Sequence, residues 1–334
     1  MASMKDIATR CNVSIATVSK ALNNHSDIGE ETKQLIRDVA HELGYFPNSS
    51  ARALKTKRTY NIGVLFVDEG RSGLTHDYFA KVLDSFKKVA ESNGYDITFI
   101  NTQSHKMTYL EHSRFRGVDG VVIACVDFTD SDVIDLVNSD LPVVTIDHVF
   151  NNRISVVSDN ISGMSDLITY AHSLGHTKIA YIHGEDTAVT RNRVASFYNT
   201  FRELGITPDD RFIIPSAYRN PKLAAKYTKE LLSYKKRPTC IIYPDDYSAI
   251  GGLNAIKELG LSVPNDISVM GYDGLYISQI IDPKLTTYEQ NTEEIGAIAA
   301  KSLIRLIRDS KSTIIENILV PGKILEGGSV AKIN

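Results

Sequence analysis

Apolar residues over the first fifty positions recur at steps of three and four, the spacing that gathers side chains on one side of an α-helix. Met4, Ile7, Ala8 and Cys11 fall at i, i+3, i+4 and i+7, and Ser3 with Asp6 gives a capping-box-like start. Asn12 and Val13 break this helix. Ser14 then caps a second one in which Val18, Ala21 and Leu22 point one way, leaving Ile15, Ala16, Ser19 and Lys20 facing out. A third helix, about Glu30 to Leu43, carries Leu35, Ile36, Val39, Ala40 and Leu43 as its expected buried stripe, and Gly44 stands where a glycine stop belongs. Three short helices with a tight turn before the second read as a helix-turn-helix, with a plain three-helix cap on a larger domain as the alternative.

From Asn61 onward, short apolar runs alternate with amphipathic stretches. Strands are expected at Ile62 to Phe66, Ile97 to Ile100, Val121 to Cys125, Val143 to Ile146, Ile179 to Ile182, Cys240 to Tyr243 and Ser268 to Met270. Helices are expected at Tyr78 to Asn93, Asn160 to Leu174, Arg193 to Leu204, Pro221 to Leu232 and Tyr247 to Leu259. This alternation predicts parallel α/β sheet with helices on both faces, in too many units for one sheet. Asp68 to Asp77 reads as an unusually long strand-to-helix loop.

The 334 residues, 43% of them hydrophobic, supply material for more than one core. The net charge of −3 is unevenly placed: residues 1–60 hold nine basic and six acidic side chains, and the remainder 28 basic and 34 acidic. A basic end on a soluble body fits a nucleic-acid partner. The three cysteines include no CxxC pair, and free thiols are expected. No secretory leader and no membrane-length apolar run is visible, so the cytoplasm is the expected compartment. The nine histidines show no metal-ligand spacing, and the sequence lacks a nucleophile elbow, Walker loop, GxGxxG or HExxH. No catalytic residue, metal or cofactor is expected.

After Pro47, Asn48 can cap a short helix through Leu54, and Arg52, Lys55, Lys57 and Arg58 follow with no acid among them, a run suited to neutralising phosphates. The runs MKDIATRCNVSIATVSKALNN and ETKQLIRDVAHELGYFPNSSARALKTKRTYNIGVL resemble the headpiece and hinge of the LacI/GalR family of bacterial transcription regulators, and the similarity continues through DDYSAIGGLNAIKELG, DISVMGYDG and PKLTTYEQ. The resemblance implies a helix-turn-helix headpiece (1–46), a hinge (47–59) and a periplasmic-binding-protein-like, two-lobed effector domain of two doubly wound parallel sheets. The lobes are expected at 60–160 plus 291–319 and at 161–290 plus 320–334. It also implies a homodimer on a near-palindromic operator, contacted through Ser14, Ile15, Ala16, Thr17, Ser19, Lys20, Asn23, Tyr45, Asn48, Arg52, Ala53, Leu54 and Lys55. Ile15 and Ala16 suit a thymine methyl and Lys20 a guanine edge. Leu54 is expected to wedge into a minor-groove step. The chain ends without a heptad-bearing helix, so a dimer is expected, with contacts from Tyr78 to Asn93, Tyr247 to Leu259 and Leu275 to Ile281.

Open α/β sheets bind ligands beyond the C-terminal ends of their strands. That rule and the resemblance select Tyr78, Phe79, Asp147, His148, Arg193, Tyr218, Asp245 and Asp273 as the effector set. Aromatic faces, carboxylates and a guanidinium suit a sugar. Ser196, where the family usually has glycine, and the enlarged loop carrying Leu74, Thr75 and His76 depart from the pattern. Asp246 reads as a helix N-terminal charge and Arg191 as a solvated one. The expected function is a transcription regulator, a repressor, controlled by a small-molecule effector, a sugar. The other classes weighed are a cytoplasmic sugar-binding or sugar-processing protein with a helical cap, and a transport-type solute-binding protein.

Overall fold

Ser3 and Asp6 do form a reciprocal cap: Asp6 N donates to Ser3 Oγ at 3.4 Å and Ser3 N to Asp6 Oδ2 at 2.8 Å, opening helix α1 (Met4–Cys11). Asn12 closes it at φ 53°, and Ser14 caps α2 (Ile15–Leu22) by accepting from Thr17 N at 3.0 Å. Helix α3 (Glu30–Glu42) stops at Gly44, φ +63°, a backbone state that L side chains rarely adopt. Ile7, Ala8, Val18, Ala21, Ile36, Val39 and Ala40 form the core of these helices. Leu35, expected in that core, is 51% exposed. It lies one 100° step off the Ile36–Val39–Ala40 stripe, whereas Lys33, three residues before Ile36, is on it. The Lys33 stem is buried and its ammonium reaches Glu30 Oε1 at 2.7 Å.

The structure, a computed structural model, describes residues 2–46, 53, 57–68, 73–102 and 106–333. The chain divides into two units, Met1–Thr59 and Tyr60–Asn334. The hinge reading, with Asn48, Arg52, Leu54 and Lys55, lies outside the described residues apart from Ala53.

In the second unit the strands are β1 (Asn61–Phe66), β2 (Asp96–Ile100), β3 (Gly120–Cys125), β4 (Val143–Ile146), β5 (Ile154–Ser158), β6 (Ile179–His183), β7 (Ile213–Pro215), β8 (Cys240–Ile242), β9 (Ser268–Asp273), β10 (Thr286–Glu289), β11 (Asn317–Val320) and β12 (Lys323–Leu325). The helices are α4 (Asp77–Ser92), α5 (Tyr109–Phe115), α6 (Ser131–Asn138), α7 (Asn160–Ser173), α8 (Ala188–Glu203), α9 (Pro221–Ser233), α10 (Asp246–Glu258) and α11 (Thr292–Arg308). They surround two six-stranded sheets, ordered β11-β5-β4-β3-β1-β2 and β12-β10-β9-β8-β6-β7. All neighbours run parallel except β12, which is antiparallel to β10. Side chains alternate across each sheet: Ile62 and Val64 of β1 enter one core, Leu65 the other. The expected headpiece and two-lobed α/β body are both present.

The chain passes between the sheets three times, after β5, after β10 and between β11 and β12. After the second passage α11 returns to the first lobe and packs on α4, where Ile295, Ala299 and Leu303 share a core with Val82 and Phe86. The approach is close enough that a Cβ on Gly296 would stand 2.2 Å from the Val82 carbonyl oxygen. Among the described residues no helix is long and apolar enough to cross a membrane.

Candidate functional site

In the headpiece, α2 presents Ile15, Ala16 and Lys20 to solvent, while Val18 and Ala21 hold it to the core. Thr17, Ser19 and Tyr45 are half-buried. Asn23 follows α2 and its side-chain amide donates to Ser19 O at 2.7 Å. Lys20 is not idle: its ammonium rests on Asp27 Oδ2 at 2.5 Å. Both partners are about half exposed, and such pairs are worth about 0–1 kcal/mol, so a base edge can compete for the lysine.

In the second unit, the loops that leave the strands carry most of the chemistry. Asp147, just past β4, has φ +57°; Asp273, the last residue of β9, has φ +101°. Neither is a glycine, and backbone strain of this kind concentrates at ligand sites. Asp147 Oδ2 accepts from Tyr78 OH at 2.6 Å and its Oδ1 from Ser158 N at 3.0 Å. Burial raises the Asp147 carboxyl above its ordinary range, and the Tyr78 donation partly offsets this. Burial also drives the Tyr78 phenol well up, so the proton stays on oxygen and points at the carboxylate.

Arg193 is buried on α8. Its Nε donates to Asn160 Oδ1 at 2.8 Å, its Nη1 to Pro244 O at 3.0 Å, and its guanidinium carbon lies 3.4 Å from the centre of the Tyr272 ring. Asp273 Oδ1 accepts from Gln290 Nε2 at 2.6 Å. Burial pushes the Asp273 carboxyl up to about 7, and Arg193 pulls it back in part. Arg193 and Asp273 from the second lobe act electrostatically on Tyr78 from the first, so the two sets face one another.

The other expected residues are more variously placed. Tyr218 bonds Thr190 Oγ1 at 2.8 Å, with Arg193 6.0 Å from its ring centre. Phe79 packs edge-on against Tyr78 and His76 and tilts on Phe66. His148 stacks on Phe128 at 4.1 Å. The Asp245 carboxylate is consumed inside the protein, accepting from Ser248 N, Ser248 Oγ and Arg219 N as the N-cap of α10. Asp246 sits in the first turn of α10, bound to Leu275 N and Thr287 Oγ1. The Ser196 hydroxyl turns to Ile161 O, and Arg191 is exposed on Asp186 at 2.8 Å.

Three features escaped sequence reading. Asn160 and Gln290 each stand where the chain leaves one lobe for the other, behind strands β5 and β10 that were not foreseen. The third joins the lobes: Asp77, first residue of α4, accepts through Oδ2 from Tyr247 OH at 2.9 Å and Arg219 Nη1 at 3.3 Å. Arg219 also lies over the Tyr247 ring at 4.6 Å. Beside this clasp, burial and the Arg219 charge hold His76 down to about 4.

Residues 3–48 match the profile of bacterial regulatory proteins of the lacI family, and residues 168–330 that of a periplasmic binding protein-like domain. An HTH-type transcriptional repressor PurR of Histophilus somni (strain 129Pt) is 32% identical over 320 residues, covering 92% of this chain and 93% of the relative. The chain belongs to the LacI family. Among solved structures of that fold, the lac repressor dimer bound to operator and the anti-inducer ONPF superposes with a TM-score of 0.82 at 24% identity, covering 99% of both chains. A LacI family regulator from Enterococcus faecium with bound ribose matches with a TM-score of 0.71 at 25% identity, covering 82% of this chain and all of that one. This LacI-family protein is a DNA-binding transcriptional repressor with an effector-binding domain.

Proposed function

We propose that this repressor is controlled by a sugar held between the two lobes. The observation that carries the reading is the convergence of Asp273 and Arg193 from one lobe with Tyr78 and Asp147 from the other. Carboxylates accept from hydroxyls, the guanidinium donates in return, and Tyr218 and Phe79 supply aromatic faces for C–H groups. Asp245, already saturated, acts as a support for Arg219 in this reading.

A sugar that fits only one relative position of the lobes shifts operator affinity by its preference for that position. The DNA side is a cytoplasmic homodimer that sets two copies of α2 in successive major grooves. Exposed Leu259, Tyr276 and Ile280 in the second lobe supply apolar surface for that pairing.

A purine is the second reading, favoured by relatives named PurR at 29–32% identity over more than nine-tenths of the chain. A thermal-shift screen against pentoses, hexoses, disaccharides and nucleobases decides between them. A ligand at 100 times its dissociation constant adds about 2.7 kcal/mol of stability. Arg193→Ala is expected to abolish the shift while operator affinity without effector stays within about twofold of the parent, well inside the roughly 1.4 kcal/mol that a tenfold change represents. A shift with nucleobases alone would replace the sugar by a purine.

A further inference from the structure

Asp27 lies in the turn between α2 and α3, exposed, and its Oδ2 takes the Lys20 ammonium at 2.5 Å. Other carboxylates of the headpiece serve its own helices. Asp6 closes the cap of α1, Glu42 pairs with Arg10, and within α3 Glu30 holds Lys33 and Asp38 accepts from Gln34. Among the described residues 2–46, Asp27 is the acid whose carboxylate bonds a side chain of α2, and that side chain is on the outward face. The Lys20 hydrogen bond holds the Asp27 carboxyl below its ordinary range, so it is ionised at neutral pH.

Once Lys20 moves to a base, this carboxylate needs another donor. Phosphate and deoxyribose oxygens offer none, and an unpaired anion beside them is repelled. The base edges of the major groove carry two, cytosine N4 and adenine N6. Because the head groups of Lys20 and Asp27 start in contact, they reach neighbouring atoms on the same edge. In a G·C pair, guanine N7 and O6 lie side by side for the ammonium, and cytosine N4 follows directly. In an A·T pair, adenine N6 separates N7 from thymine O4, so the ammonium keeps one acceptor.

We propose that Asp27 is a base-reading residue, accepting from the cytosine N4 amine of the same G·C pair whose guanine Lys20 contacts. The ion pair of the free headpiece is thus exchanged for the two halves of one base pair. This rests on the placing of α2 in a major groove given above.

The test is to sequence the duplexes that the full-length protein, Asp27→Ala and Lys20→Ala each retain from a randomised pool. The parent is expected to prefer G·C at one position per half-site. Both variants are expected to relax that preference, at that same position, by about fivefold or more, the lower end of what a base contact is worth. Asp27→Ala is expected to bind random duplex at least as tightly as the parent, since a negative charge has gone. A second probe is independent of how the variants fold: N4-methylcytosine at that position keeps the Watson–Crick pair but fills the groove-side N–H. It is expected to weaken the parent about fivefold or more and to leave Asp27→Ala within about twofold. An Asp27→Ala protein that keeps the preference Lys20→Ala loses overturns the proposal and leaves the placing of α2 standing. So does a loss spread equally over all sequences, a parent indifferent to N4-methylcytosine, or a Lys20-dependent position at which G·C is not preferred. A Lys20→Ala protein with unchanged preference at every position removes the base contact of α2 on which the proposal rests.

Discussion

Asp273 shows how one residue couples site and stability. Its carboxyl holds a proton up to about 7 in the folded chain, against an ordinary value of 3.8. Between those values the folded state binds a proton that the unfolded chain has already released, so this group's contribution to stability falls as pH rises from about 4 through 7. Asp273→Asn, locked in the neutral state, is therefore expected to melt above the parent by a wider margin at pH 8 than at pH 5, by about 2–4 °C for each kcal/mol recovered. Equal melting points at both pH values would refute the assignment. Lys20 poses a different question, because it must leave Asp27 to reach a base. Lys20→Ala is expected to relax preference at one base pair per half-site, nearer the low end of about 1–3 kcal/mol, in a competition assay over single-substituted operators. An equal loss on every sequence would make it a phosphate contact. The strand-end rule and the family resemblance together picked out Arg193, Asp147 and Asp273; Asp147 follows β4, Asp273 ends β9 and Arg193 lies on α8. Asp245, expected beside them, spends its carboxylate on a helix cap that only the fold reveals.

Elements were legible where a single periodicity governed them. Helix α4 and the strands rich in valine and isoleucine follow directly from pattern. Strand β10, sequence TTYE, was not foreseen because Thr286 and Thr287 are wholly buried in a parallel sheet, which hides the polar character a sequence reader weighs. Strands β7, β11 and β12, three or four residues long, lie at sheet edges and are only partly buried, so no continuous apolar run marks them. Helix α8 begins at Ala188, not near Arg193, because Thr187 accepts from Thr190 N and starts it a turn early. The α4–α11 contact tests the packing argument. Alanine at 296 gains helix propensity but drives a methyl against the backbone of Val82 and Phe86, which cannot rotate away. Gly296→Ala is expected to lower stability by about 1–3 kcal/mol, read as a drop in the denaturant midpoint. A neutral or stabilising result would mean that the two helices separate more easily than their shared core implies.

Over the whole molecule, the covalent passages between lobes and the Asp77–Arg219–Tyr247 clasp set how far the lobes can part. With Arg219 half-buried and stacked on Tyr247, its removal costs both a charge contact and a ring contact. Arg219→Ala is expected to enlarge the radius of gyration of the ligand-free protein in small-angle X-ray scattering, and raised salt to produce a smaller change in the same direction in the parent. Identical scattering curves would show that the clasp does not restrain the lobes. The threefold weave of the backbone has a further result for anyone building hybrids from related repressors. A foreign second lobe cannot be grafted at one junction: it needs matched seams near Asp159, Gln290 and Pro321 together. Two of those seams hold or adjoin the amides that grip Arg193 and Asp273, so a chimera whose effector sits on the proposed residues takes its preference partly from the stitching and not from the graft alone.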